Sequence, residues 1–475
     1  MGEPRRERVR YEDRMSDSDA LMWNIERDPM LRSTILSVMV LDGVPDEERF
    51  RKAIARSLRK VPRLRQRVAL DPIGAATPRW EVDPHFDLEY HVRRLRAPGK
   101  GTLRDLLDLA EPIAMQAFDK DRPLWELYEV DGLEFGQFAL LLKLHHSISD
   151  GVGLVRMTSS LVERSPEPDP RRESAAASLL EDPGPADAST PFQDTLEALR
   201  YRAETNLERG ARAARALGRF AARLPREPLG AFGDARALVD SVARVLRPVS
   251  EPMSPLLTGR SLGIRLDAFG VALEELKRAG KSVGGTLNDA FVAAVCGGLR
   301  RYHEQHGKPV DELRMTMPIN LREGAEASRA GNQFAPARFA VPVGIAQPER
   351  RIRAIHELVV AQRAEPALPI AEEISGFLAR LPRRFSTGLL GSMLKAIDFV
   401  TSNVPGPQFP VYASGAKVAR MFGYGPLSGA AANITGFSYD GQFQIGVNTD
   451  RSAVRDPDRF LACLREGVEE VLAVG

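Results

Sequence analysis

Only two cysteines, Cys296 and Cys463, occur in 475 residues. Two thiols cannot form a disulfide framework or a cysteine-based zinc site, and they fit a reducing cytosol. Charge of one sign is also missing. Lys and Arg number 66 against 64 Asp and Glu, a formal net charge of +2, which argues against a bulk nucleic-acid binder. Long hydrophobic runs are absent as well. In the N-terminal half the longest clean apolar stretch is Phe138–Leu142, far short of the ~20 residues a spanning helix needs, so any membrane contact is expected to be peripheral. The opening residues, Met1 to Arg14, mix Arg with Glu and lack the apolar centre of a signal peptide. No phosphate-cradling P-loop and no dinucleotide-binding glycine fingerprint is found. What is present is 43% hydrophobic and 27% charged residues, the composition of a globular chain with a large core. Its length predicts about two to four folding units.

Patterning divides the chain. Residues 1–14 read as a mobile charged arm. From 15 to 165 strands and helices alternate. Thr34–Leu41 is a strand pattern, and Pro45 and Asp46 open a helix with an apolar stripe at Phe50, Ile54, Leu58 and Val61. A second helix is predicted over Thr102–Phe118, and strands over Leu124–Val130 and Phe138–Leu144. Residues 166–260 read as a linker and connector. The part up to Pro191 is rich in Pro, Ser, Ala and acid. The part from Phe192 to Arg223 is helical in pattern and carries Arg200, Arg202, Arg209, Arg212, Arg215, Arg219 and Arg223. That face is either solvated or in contact with anionic lipid. From 261 to 475 the alternation resumes. Strands are expected at Gly263–Leu266, Arg314–Pro318, Val411–Met421 and within Asn433–Asn448. Helices are expected at Leu273–Arg278, Leu287–Tyr302, Glu349–Arg363, Ala371–Leu381 and Asp456–Val471. The coarse picture is two α/β halves joined by a basic connector.

The chemistry-bearing segment is Leu144-His145-His146-Ser147-Ile148-Ser149-Asp150-Gly151. Adjacent residues at a strand end face opposite sides, so only one of the two histidines can face a given cavity. A neutral imidazole can take a proton from a hydroxyl that attacks an activated carbonyl. With a thioester donor no covalent serine is needed, only a base, an oxyanion donor and a means of holding two substrates. A bare histidine pair is often a satisfied core feature. Asp150 and Gly151 at the mouth of an apolar strand favour the functional reading.

Other motifs carry less. Thr286-Leu287-Asn288-Asp289 reads as a helix start, with Thr286 or Asn288 as cap and Asp289 favourable at the positive end. Such an end also suits a developing negative charge. Pro123-Leu124-Trp125 reads as core packing and Ser402–Pro407 as a rigid loop. Gly259-Arg260-Ser261-Leu262-Gly263 fits G-x-S-x-G, but a strand pattern follows where a nucleophile elbow needs a helix. His303 and His306 are three apart, not the spacing of zinc proteases, and are expected to be solvated at a helix end. No metal or redox cofactor is implied.

His145-His146…Asp150-Gly151 resembles the HHxxxDG signature of the CoA-dependent acyltransferase superfamily. The chain from Met15 onward resembles the bacterial wax ester synthase/diacylglycerol acyltransferase family, most weakly over 165–260. Pro123-Leu124-Trp125, Asn288-Asp289, the Thr401–Pro407 stretch, and Asn433-Ile434-Thr435 with Ser438–Gly441 match family segments in the same order. The resemblance implies two chloramphenicol-acetyltransferase-like α/β domains, with mixed sheets and flanking helices, around a tunnel. It implies His146 as general base, His145 turned away in support of the strand end, Asp150 in a mainly structural role, and Asn288 as a hydrogen-bond donor in the acyl-transfer site. Pro123, Leu124, Trp125, Gly151, Asp289, Ser402 and Asn403 would line or hold the substrate path. The implied partners are acyl-CoA as co-substrate, a fatty alcohol or diacylglycerol, and a membrane or lipid-droplet surface touched from the cytoplasm. Two rivals remain: an acyltransferase of the condensation type fed by a carrier protein, and a catalytically silent lipid-binding relative.

Overall fold

A six-stranded sheet has at its centre the apolar run that ends in the histidine pair. The computed structural model describes residues 13–71, 76–148, 158–169, 199–203, 205–207, 236, 249–320, 334–364 and 383–474. The first half begins with α1 (Asp17–Ile25), whose Ser16 cap accepts the Asp19 N–H. β1 (Thr34–Leu41) coincides with the β-branched run. In α2 (Glu47–Lys60), capped by Asp46, Phe50 and Ile54 of the expected stripe are buried. A small hairpin, β2 (Gln66–Ala69) and β3 (Arg79–Val82), then precedes α3 (Leu88–His91) and β4 (Val92–Arg96). α4 (Leu103–Met115) starts on a reciprocal cap between Thr102 and Asp105. β5 (Trp125–Asp131) and β6 (Phe138–His145) complete this half.

The second half contains β7 (Ile264–Ala272), α5 (Leu273–Ser282), α6 (Leu287–Gln305), β8 (Glu312–Asn320), β9 (Phe334–Pro342), α7 (Pro348–Arg363) and α8 (Arg383–Lys395). It continues with β10 (Phe399–Pro405), β11 (Tyr412–Ala413), β12 (Ala416–Tyr424), β13 (Ala432–Tyr439), β14 (Gln442–Asp450) and α9 (Pro457–Leu472). Two sheets result, ordered β11-β12-β1-β6-β5-β4 and β7-β14-β13-β10-β8-β9. Both are mixed: β4 with β5, and β10 with both β8 and β13, are parallel, while the other pairings are antiparallel. The protein is thus an α/β chain with mixed sheets and flanking helices.

The two sheets are not each built from one half. β12 pairs with β1 from Leu36↔Tyr424 to Val40↔Arg420, so residues 412–424 of the 261–475 segment complete the first sheet. The same strand packs on the second sheet, where the Met421 N–H donates to Gln444 Oε1 at 2.7 Å. Ser402–Pro407 is not wholly a loop, because Ser402 to Pro405 belong to β10, parallel to β13. Within the connector, 199–203 and 205–207 are helical. The rest of its basic face and the helix expected at 371–381 lie outside the described residues. Among the described residues no helix is long and apolar enough to cross a membrane.

Candidate active site

β6 runs between β1 and β5 and delivers the histidine pair to a tight turn. The His145 N–H donates to the Leu124 carbonyl at 3.0 Å, and the Ile148 N–H returns to the His145 carbonyl at 3.0 Å, closing the turn. The His146 N–H donates to the Ser33 carbonyl at 2.8 Å. The His145 side chain is 2% exposed, whereas His146 is half-buried.

The His145 ring is held on both nitrogens. Nδ1 accepts the Ser147 N–H at 3.1 Å and lies 2.7 Å from Ser147 Oγ. Nε2 lies 2.8 Å from Glu26 Oε1. Because a backbone donor points at Nδ1, the neutral ring carries its hydrogen on Nε2 and donates it to the carboxylate. Trp23 and Phe118 meet the ring edge-on, with centroids 5.6 and 6.2 Å away. Glu26 Oε1 also accepts the Ser33 N–H at 2.6 Å, and Lys120 Nζ is 3.8 Å from Oε2. Burial alone would raise the Glu26 carboxyl, but the His145 ring, the Ser33 N–H and Lys120 outweigh it and hold it below its ordinary value. A cavity of about 170 Å³ opens here, bordered by Trp23, Glu26, Arg32, Phe118, Leu124 and His145. Its mixed lining could take a small amphipathic group.

Two residues before His145, Lys143 is fully buried in the sheet. Its Nζ is 3.2 Å from Glu126 Oε2 and 4.4 Å above the Phe118 ring. Burial pushes its ammonium down from the ordinary value, against the Glu126 carboxylate.

Pro123, Leu124 and Trp125 are all buried. Leu124 supplies the carbonyl that anchors His145. Trp125 donates its indole N–H to the Leu64 carbonyl at 2.8 Å. Its own carbonyl lies 2.7 Å from His91 Nδ1, and the His91 ring stacks on the indole at 4.6 Å. This tripeptide fixes the start of β5 beside the histidine turn.

Asn288 and Asp289 sit in the first turn of α6. Asp289 Oδ2 accepts the Thr286 N–H and Oγ1–H, both at 2.8 Å, and lies 2.8 Å from His356 Nδ1. That carboxylate is 1% exposed, so Thr286 is the cap and Asp289 its reciprocal partner. Asn288 is half-buried and donates from Nδ2 to Met317 Sδ at 3.5 Å. Ser402 and Asn403, both half-buried, lie opposite Thr435 and Gly436. These residues belong to the second sheet side and the histidines to the first. The segment from Gly425 to Gly429 joins the two. The Gly425 N–H donates to Thr435 Oγ1 at 3.3 Å, and Ser428 Oγ donates to the Arg32 carbonyl at 3.5 Å. Arg32 precedes Ser33, the residue that anchors His146. Asp150 and Gly151 lie outside the described residues.

The remaining motifs resolve into structural roles. Ser261 Oγ donates to Asp450 Oδ1 at 2.9 Å, and β7 follows it, not a helix. His303 is buried, not solvated, between Ser254 Oγ at 2.7 Å and the Leu299 carbonyl at 2.8 Å. Among the described residues no cluster of three potential metal ligands occurs. Sequence reasoning missed Glu26, Ser33, Lys120 and Lys143. A glutamate between Ile25 and Arg27 at a helix end carries no local mark that distinguishes it from a solvated one.

Comparison with known proteins gives a consistent result. Residues 15–291 match the profile of the wax ester synthase/diacylglycerol acyltransferase catalytic domain, and residues 330–471 match that of the WS/DGAT C-terminal domain. A protein of Mycobacterium tuberculosis provisionally named a diacylglycerol O-acyltransferase is 38% identical over 468 residues, 98% of this chain and 93% of its own. Among solved structures, the wax ester synthase/diacylglycerol acyltransferase of Marinobacter aquaeolei VT8 superposes with a TM-score of 0.63 at 22% identity, covering 97% of this chain and 98% of that one. The first condensation domain of the calcium-dependent antibiotic synthetase reaches 0.60 at 15% identity, covering 97% and 96%. At such identities the structural likeness establishes the two-domain fold.

Proposed function

Since the chain belongs to the wax ester synthase/diacylglycerol acyltransferase family and is an acyltransferase, we propose that it transfers a long-chain acyl group from acyl-CoA to a fatty alcohol or diacylglycerol. The observation that carries this reading is the half-buried His146 on a turn held from both sides, where the segment from Gly425 to Gly429 meets the first sheet. The His146 imidazole accepts the hydroxyl proton of the acceptor. The alcohol oxygen forms a bond to the thioester carbonyl carbon, and the carbon–sulfur bond then breaks. The proton passes from the imidazolium to the departing CoA sulfur, giving ester and CoA with no covalent acyl-enzyme. Asn288, at the positive end of α6, serves the oxyanion. Asp150 keeps the mainly structural role that the family resemblance implies. The reaction needs no metal or redox cofactor. Contact with a membrane or lipid droplet from the cytoplasmic side runs through the connector, where Leu199, Arg200, Arg202 and Leu207 are all exposed.

The test is CoA-thiol release from palmitoyl-CoA with hexadecanol, a diacylglycerol or a short alcohol as acceptor, run beside an acyl-carrier protein as donor. Activity with palmitoyl-CoA that disappears in His146→Ala, while lipid binding persists, is the expected result. Turnover of the carrier-bound donor alone would favour the condensation-type reading. Full activity without the imidazole would overturn the mechanism.

A further inference from the structure

We propose that Glu26 is a positioning residue for His146, acting through the ring of His145 and the backbone of Ser33. The proposal rests on His146 being the base. Glu26 closes α1 and enters the first sheet from the side, 119 residues from His145 in sequence. One of its oxygens, Oε1, receives two hydrogen bonds: the Ser33 N–H at 2.6 Å and the His145 Nε2–H at 2.8 Å. Each donor holds His146 by a different route. Ser33 accepts the His146 N–H through its carbonyl, so Glu26 and His146 bind opposite ends of the same residue. His145 staples the turn internally, because its Nδ1 accepts the Ser147 N–H and its carbonyl accepts the Ile148 N–H. The turn residues on either side of His146 are therefore fixed by a ring that the carboxylate orients. His146 therefore sits between two residues of the turn that are themselves held in place.

The physical case for a role beyond folding lies in the arrangement. A carboxylate only 6% exposed is costly to bury unless hydrogen bonds and charge satisfy it. Here it is satisfied by the two groups that border the reacting residue, with Lys120 Nζ at 3.8 Å on its second oxygen. A base displaced by about 1 Å loses on the order of 10²-fold in rate, so a frame of this kind acts on kcat more than on substrate affinity.

The experiment uses the full chain with palmitoyl-CoA and hexadecanol. Glu26→Ala is expected to lower kcat on the order of 10²-fold while KM for palmitoyl-CoA moves by no more than about twofold. Glu26→Gln keeps an oxygen that accepts both hydrogen bonds and is expected to recover most of the rate. Glu26→Asp keeps the charge on a shorter stem and is expected to recover little. His145→Ala is expected to lower kcat as well, and the double variant to lose less than the product of the two single losses, since the two share the contact between Glu26 and the His145 ring while the Ser33 route depends on Glu26 alone. Unchanged kcat in Glu26→Ala, or multiplied losses in the double variant, would overturn the proposal. Should Glu26→Ala not fold, equal activity of the Gln and Asp variants would overturn it instead. His146→Ala separates the two levels: if that variant stays active the base assignment fails, whereas if it is dead and Glu26→Ala is normal, only the positioning role fails.

Discussion

Gly446 of β14 lies directly against the carbonyl oxygen of Gly423 in β12, so that a Cβ at position 446 would overlap it. Gly423 is paired with Ser37 of β1, and Gly446 with Thr435 of β13 and Ala268 of β7. Here the first and second sheets meet backbone to backbone. The junction fixes how the second half sits against the strand order that carries His146. Gly446→Ala must spread the sheets or shift β12, and overpacking of this kind costs about 1–3 kcal/mol. The expected outcome is a lower melting temperature together with slower acyl transfer. Gly388→Ala in α8, where a Cβ meets nothing within 4 Å, is the control and should melt no lower than the parent, because alanine is the better helix former by about 1 kcal/mol. Identical melting of both variants would mean that the sheets do not touch at this point.

The sequence carries the centre of this arrangement and hides its junction. β1 and β6 are legible because their apolar content is dense and their ends are marked. Helices α2, α4 and α6 are legible from Asp46, Thr102 and Thr286. The sheet that takes β12 is not legible. Its pattern identifies a strand, but pairing Leu36 with Tyr424 joins opposite ends of the chain, and periodicity says nothing about partners. β9 escapes because Pro336 and Pro342 interrupt it. It tolerates them at the edge of the second sheet, where among the described residues it pairs with β8 alone. β10 is obscured by Pro405 and Pro407, although its first residues lie between β8 and β13. At the site, the histidine pair is visible as a motif and Trp125 as a core residue. The groups that hold the histidine pair are not, since Glu26, which holds the His145 ring, and Ser33, which holds His146, become meaningful only when the end of α1 meets the end of β6.

Asn288 and Asp289 are adjacent yet separable. Asp289 completes a reciprocal cap with Thr286 and pairs with His356, so Asp289→Ala is expected to cost about 0.5–2 kcal/mol. The hydrogen bond that Asn288 makes is a weak one to the Met317 sulfur, and its loss should cost well under about 1 kcal/mol. Asn288→Ala is therefore expected to melt near the parent while losing turnover, and Asp289→Ala to melt lower. Parallel melting curves and thiol-release rates decide the matter. If Asn288→Ala melts as low as Asp289→Ala and turns over normally, Asn288 has no part in the chemistry.

Lys143 and Glu126 form a buried ion pair inside β6 and β5, with side chains 0% and 5% exposed. Glu126 Oε2 also accepts the Tyr128 hydroxyl at 2.6 Å, and Arg93 approaches its other oxygen at 3.9 Å. Removing one partner of such a pair strands the other charge, so Lys143→Met is expected to destabilise by about 3–5 kcal/mol. Replacing both, Lys143→Met with Glu126→Gln, removes the stranded charge and should return much of that loss, giving a coupling of roughly 0.5–3 kcal/mol in a double-variant cycle. Chemical denaturation of the four proteins measures it, and strictly additive losses would show that the two charges do not support each other. Lys143 precedes His145 by two positions on the same strand face, and both touch Phe118. The single variant should therefore also slow acyl transfer. If the double variant regains stability without regaining kcat, the lysine orders the histidine turn itself as well as the sheet beneath it.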